Sequence, residues 1–465
     1  MSDRRLVRVA ATSARLIAGA AIAAAAVVGT VAAIAAPWPQ YRAEPVRVDA
    51  TPEASDTLLA CDGPLLALGR SADSANGLTA AAAQQIVSGP ADAGAVSSAL
   101  TGATADASGD AQALRAAPRD RTPTPLAAAG SATVASADLI GFSASACRAP
   151  LAESWLVGGA TTTGANDLVV LANPGDVPAT VQLSVYGAQG VQTPPSGQNL
   201  VVPAGQRRVV PLAGLLLGEE SPVVRVEASG APVHASLQAS LTRVLLPGGS
   251  DQVAPARQAD TRLVMPGVQV VTSTEGQAGT VLRLLSPGSD ATATVTVIPM
   301  DATASAAPPT EVPLTAGLPT SLDLSGLSAG AYTVEVSATA PIVGATWSTT
   351  GFGEGADFAW YADAPEISAP TVVAVADGAG SSASLVLAAG DAEAAVTLTP
   401  ADGGEATSTT VAANGSVAVP VAAGVYRLET TAPVRASMAY VGTGALASYP
   451  LWPADAAASA LTVLP

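Results

Sequence analysis

Two carboxylates, Asp357 and Glu366, bracket the densest aromatic stretch of the chain, "GADFAWYADAPEIS", with Asp363 between them. Trp347, Phe352, Phe358, Trp360 and Tyr361 are five of its fifteen aromatics, which comprise five Trp, seven Tyr and three Phe. A pair of carboxylates is the machinery of glycoside hydrolysis. Flat rings beside carboxylates also make a sugar-binding platform, stacking on C–H faces while the acids accept hydroxyl bonds. Trp347, Trp360, Tyr361, Asp357 and Glu366 are therefore the candidate ligand-binding residues. The competing reading is a hairpin whose rings seal a second β-sandwich against a third, because scarce aromatics go to cores and junctions.

The rest of the chain offers little chemistry. His234, in "APVHAS", is the single histidine, so neither a catalytic triad nor a histidine metal cluster has a second ring to draw on. Its repeat counterparts read as Gly344 and Arg435, so His234 is expected to face solvent. Lysine is absent, which removes the phosphate-binding G-x-x-x-x-G-K-[ST] loop and the S-x-x-K nucleophile. No G-x-S-x-G elbow and no D-x-[DN]-x-[DN]-G calcium loop occurs. No catalytic residue, metal ligand or cofactor is assigned, and a non-enzymatic role is expected. With 37 acidic against 20 basic residues and a net charge of −17, the surface repels phosphate backbones, so nucleic acid is not an expected partner.

The elements that must position these residues repeat. "WLVGGATTTGANDLVVLANPGDVPATVQLSV" from Trp155, "VQVVTSTEGQAGTVLRLLSPGSDATATVTV" from Val268 and "TVVAVADGAGSSASLVLAAGDAEAAVTL" from Thr371 align without a gap to Leu171, Leu284 and Leu387. Downstream, "VVRVEASGAPVHASLQ", "AYTVEVSATAPIVGATW" and "VYRLETTAPVRASMAY" answer one another. Offsets of 113 and 103 residues are too long for a solenoid rung. They suit a self-contained domain of about seven short antiparallel strands with period-2 alternation. The expected fold is all-β, with three tandem Ig-like sandwiches at 151–262, 263–366 and 367–465, stacked as a rigid rod. A propeller with two blades per copy is disfavoured because the copies show no half-repeat.

Upstream, Arg4, Arg5, Arg8 and Arg15 precede "LIAGAAIAAAAVVGTVAAIAA", which carries no charge from Leu16 to Ala36. That length crosses a bilayer, and arginines on its N-terminal side keep the tail 1–15 in the cytoplasm. Pro37 ends the span, and Trp38 and Tyr41 stand where an interfacial belt would be. A cleaved signal peptide, with "AIAA" at 33–36 as its cleavage site, is the rival. Both readings export the rest, so the membrane is the one partner expected directly. Residues 37–150 form a spacer. Within it 71–130 is too rich in Ala, Ser and Gly to offset chain entropy and is expected to be a disordered excursion, with a short helix over 77–89. Cys61 and Cys147 are expected to pair once exported, clipping the spacer across this loop.

The leading Trp155, "DLVVLANPGDVPATVQLSVYG", "VVPAGQRRVV" and "VVRVEASGAPVHAS" resemble the repeats of an uncharacterised actinobacterial family of membrane-anchored envelope proteins. The resemblance covers the whole chain, although the second and third copies lack the leading Trp and the third lacks the Pro of "NPG". It implies a single-pass protein with an extracytoplasmic bulk, associated with envelope polysaccharide or its synthesis. The expected function is thus a non-catalytic scaffold or binding protein, whose partners would be an envelope glycan or envelope-assembly proteins. The alternative is a secreted adhesin or carbohydrate-binding protein, and a glycan-acting enzyme ranks third.

Overall fold

A computed structural model describes residues 3–35, 48–50, 54–69, 77–104, 109–120, 122–271, 278–300, 308–453 and 461–463. These divide into two compact units. The smaller holds the helix Asp3–Ala35 and a short antiparallel ladder of Val48–Ala50 with Leu461–Val463. Within the helix, Thr12–Ala35 is 24 residues long with a mean hydropathy of 2.3, and none of it is buried. It is long and apolar enough to cross a membrane. Its one mid-span hydroxyl, on Thr30, donates to the Ala26 carbonyl at 2.7 Å and so needs no outside partner. Pro37, Trp38 and Tyr41 lie outside the described residues.

The larger unit is all-β. Its strands over 153–253, 260–362 and 366–450 form three antiparallel sandwiches. Each copy has eight principal strands in one order: first, sixth, third, fourth in one sheet and fifth, second, seventh, eighth in the other. In the second copy the sixth and seventh strands fuse into Gly330–Thr349, which passes from one sheet to the other. The alternation read from the sequence holds at Ala179–Gly187, where Val181, Leu183 and Val185 are fully buried and Thr180, Gln182 and Ser184 are half exposed. Asn173 explains the "NPGD" turn: its amide donates to the Val177 and Val202 carbonyls and its oxygen accepts the Gly175 N–H.

The spacer corrects the expectation of a disordered excursion. Within 71–130 the chain forms strands Leu78–Ala82, Gln85–Gly89, Val96–Leu100 and Ala111–Ala116, and Ala127 opens another, Ala127–Ala135. The short helix expected over 77–89 is two of these strands. Alanine and serine do not make a large core of their own, but here they do not have to. Ala127, Ala129, Phe142 and Ala144 join the core of the third sandwich, and Ala60, Leu100, Ala111 and Ala113 pack with Ala172 of the first. The spacer is therefore a fourth module.

Nor do the modules make a rod. Each ends in a strand hairpin, and the four outer strands Ile140–Cys147, Leu246–Val253, Phe358–Ala362 and Ala445–Pro450 pack in succession, the last against the first. The four modules close into a ring around these strands.

Candidate functional site

Asp357 stands on the ring axis. It immediately precedes the strand Phe358–Ala362, and its carboxylate reaches all three other modules. One oxygen accepts the Phe142 N–H at 3.0 Å and the Leu446 N–H at 3.2 Å; the other accepts the Ser250 N–H at 3.2 Å. The N–H of Phe358 completes the set. Ladder register makes these four amides equivalent: Phe142 faces Thr133, Ser250 faces Ser240, Phe358 faces Thr349 and Leu446 faces Val441. The residues before them are Gly141, Gly249, Asp357 and Ala445. The two glycines make the room. A Cβ on Gly249 would stand 2.6 Å from an Asp357 carboxylate oxygen, and one on Gly141 2.6 Å from the Ser250 nitrogen; both residues also hold positive φ, 110° and 138°. Burial pushes the Asp357 carboxyl up to about 7, against the pull of the four amides. Nearby, Asp251 accepts the Trp360 N–H at 2.7 Å, and burial raises its carboxyl well above the usual range.

A second buried cluster joins the fourth module to the first sandwich. Cys61 and Cys147 are disulfide-bonded, and the residues after them, Asp62 and Arg148, form an ion pair at 3.2 Å with both side chains buried. His234 corrects the solvent-facing expectation: it is 2% exposed and its Nε2 lies 2.6 Å from the Asp62 carboxylate. The strand partners of Ala172, Leu285 and Ala388 are His234, Val343 and Arg435, so the counterpart in the second copy is Val343, not Gly344. Burial alone would raise Asp62, but Arg148 and His234 hold it well below the carboxylate range. Burial lowers the His234 imidazole, which therefore stays neutral and donates from Nε2. Arg207 closes the cluster, donating to the Asp62 and Gly109 carbonyls.

The structure divides the residues the sequence grouped as a ligand platform. Strand Phe358–Ala362 alternates: Phe358 and Trp360 face the first-sandwich core, while Tyr361 is buried in the second. The hairpin thus packs the second sandwich against the third, as the sequence suggested, where Ala359 and Tyr361 share a core with Leu446, and also against the first through Phe358 and Trp360. Glu366 is exposed and lies apart, in a cleft of about 270 Å³ between the second and third sandwiches with Arg262, Glu335, Asp391 and Arg435. Trp347 and Trp360 stay together. They are paired across the ladder and, with Phe358, wall a cleft of about 330 Å³ between the first and second sandwiches. Trp347 is half-buried and its ring lies 6.2 Å from that of Phe358. Among the described residues no group of three or more His, Cys, Asp or Glu is placed to hold a metal.

The same cleft contains residues the sequence did not single out. Arg283 stacks 4.8 Å from the Trp360 ring centroid and donates to the carbonyls of Gly159, Pro222 and Glu220. Asp167 accepts the Ala160 and Ser240 N–H groups, and burial raises its carboxyl to about 7. The Ser221 and Ser321 hydroxyls meet at 3.1 Å across the two sandwiches. Arg283 did carry a signal: it is a charge inside the apolar run "VLRLL", where a strand buried on both faces has no place for one.

Comparison with known proteins gives a family but no activity. A family model described as "Family of unknown function (DUF5719)" matches residues 101–423. The chain belongs to this family. The match begins inside the fourth module, so DUF5719 takes in the axial hairpin Ala127–Cys147 as well as most of the three sandwiches. No curated protein matches the DUF5719 chain. Among solved structures it is similar to the crystal structure of chicken CNTN1 FN1-FN3 domains, at 12% identity and a TM-score of 0.12, over 65% of this chain and 97% of that one. At that score the fold argument rests on strand order alone.

Proposed function

We propose that this DUF5719 protein is a non-catalytic, membrane-anchored extracytoplasmic protein of the cell envelope, a scaffold or binding module for envelope polysaccharide or for the proteins that assemble it. The observation that carries the reading is the helix Thr12–Ala35, uncharged from Leu16 onward and with no part buried. A helix with every face apolar and uncovered is costly in water and stable in lipid. Arg4, Arg5, Arg8 and Arg15 precede its apolar core, and the positive-inside bias supports an all-β bulk on the outer side. The disulfide fits an oxidising compartment. The non-catalytic part is supported by the acids at the axis: Asp357 and Asp251 bind backbone amides that join modules.

The test is fractionation of cells producing the full chain with a C-terminal epitope. Full-length protein should stay with membranes through an alkaline wash and be digested by protease added outside. A product released into the medium without residues 1–36 would replace the anchor by a cleaved signal and leave the secreted adhesin reading. Soluble cytoplasmic protein with reduced Cys61 and Cys147 would overturn both.

A further inference from the structure

The cleft between the first and second sandwiches has the composition of a ligand site. Its wall is aromatic, with Trp347 half-buried beside Phe358 and Trp360. Its other lining groups include the Asp167 carboxyl, the Ser240 hydroxyl and, where the two sandwiches meet, Ser221 and Ser321. Each has one partner within the chain, since Asp167 accepts the Ala160 and Ser240 N–H groups, the Ser240 hydroxyl donates to the Asn166 carbonyl and Ser221 pairs with Ser321, but all keep spare lone pairs that a purely apolar occupant would leave unused. A flat ring with one C–H face and peripheral hydroxyls satisfies both halves.

Charge narrows the class further. Arg283 spends its terminal nitrogens on three carbonyls, with its guanidinium stacked on Trp360. Its Nε has no partner but is buried, so no Nε–Nη2 fork is open to a carboxylate or phosphate. Asp167 and Glu220 add acceptors or negative charge to the lining, and the whole chain carries −17. The one cation of the lining, Arg283, is already set against Asp167, so an acidic ligand is disfavoured. We infer that this cleft binds a neutral pyranose unit of a glycan, stacked on the indole of Trp347 with its hydroxyls directed to Asp167 and the serines. The inference rests on the extracytoplasmic reading for its supply of glycan, and it deepens that reading by naming the site and the ligand class.

The test uses the full chain in detergent micelles and neutral tetrasaccharides of glucose, mannose, galactose and N-acetylglucosamine as probes, read by saturation-transfer NMR. At least one series should bind, and Trp347→Ala should weaken it about tenfold, the scale of one lost aromatic contact. Ser321 is exposed, so Ser321→Trp closes the cleft without touching a core and should give the same loss if Trp347→Ala fails to fold. Glu366→Gln, in the other cleft, should leave binding unchanged. Binding by none of the four series, or binding that survives both cleft variants, would overturn the proposal. So would capture of apolar peptides or acidic oligosaccharides by the cleft while neutral sugars fail. Membrane residence is read separately by fractionation, so failure here leaves the anchor standing and failure there leaves the cleft measurable.

Discussion

Replacing Asp357 by alanine should loosen the ring at its axis. The carboxylate accepts one backbone N–H from each of the other three modules. Removing it strands these three donors across the ring, besides the Phe358 N–H of its own module. Each orphaned buried donor costs about 1–3 kcal/mol, so the set costs about 3 kcal/mol at the low end even if water fills part of the gap. At roughly 1.4 kcal/mol per factor of ten, local opening should rise about 150-fold. The assay is amide hydrogen exchange, resolved at Phe142, Ser250 and Leu446. All three amides should lose protection together, by about two orders of magnitude. Core amides far from the axis, such as Val181 and Val396, should change much less. Asp357→Asn should lie between the two, since one oxygen remains to accept while the new NH₂ faces donors. If Asp357→Ala left the three amides protected, the keystone reading would be wrong. If only one of the three loosened, the modules would be held pairwise and not by a common axis.

The other predictions use the same physics. Cys61 and Cys147 are 86 residues apart, so Cys61→Ala/Cys147→Ala should lower stability by about 4–5 kcal/mol in the loop-entropy picture, seen as an earlier urea midpoint; an unchanged midpoint would refute it. His234→Ala should cost about 1.5–3 kcal/mol because it leaves the buried Asp62 carboxylate short of a donor, and His234→Gln should recover part of this in the same measurement. Burial raises Asp167 to about 7, so the folded chain keeps a proton that the unfolded chain loses near pH 4. That stability is complete below about pH 4 and is lost as pH rises through 7, with a slope of up to about 1.4 kcal/mol per pH unit. Asp167→Asn should flatten the fall between pH 5 and 7; parallel curves for the two proteins would refute the assignment. Asp62, held low, works in the opposite sense and loses its contribution on acidification.

What the sequence disclosed followed from side-chain periodicity. "ATVQLSV" shows its buried face by alternation alone, and the gapless match at Leu171, Leu284 and Leu387 marks the second strand of every sandwich. The spacer was not legible in this way. Its alanines are buried by neighbouring modules, and composition within a window says nothing about what packs on it from far along the chain. The aromatic stretch was legible as something special, yet its residues part company: Trp347 and Trp360 share a cleft, Tyr361 is core, Glu366 lies in another cleft and Asp357 is at the axis. Residues on one strand point to opposite faces, so nearness in sequence does not make a shared site.

Ring closure also explains why the copies had to diverge at one position. Four equivalent amides, on Phe142, Ser250, Phe358 and Leu446, converge on the axis, and one carboxylate satisfies them all. A second aspartate in place of Gly249 would bring a like charge within a few ångströms of the first in a dry site, and the Cβ alone already collides with it. Four glycines would leave the amides with no acceptor. The stable solution has one acid and three small residues, and Gly141, Gly249, Asp357 and Ala445 are that solution. Symmetric backbones thus require an asymmetric sequence at their common axis. A comparison of copies, which scores likeness, reads the residue that closes the ring as noise.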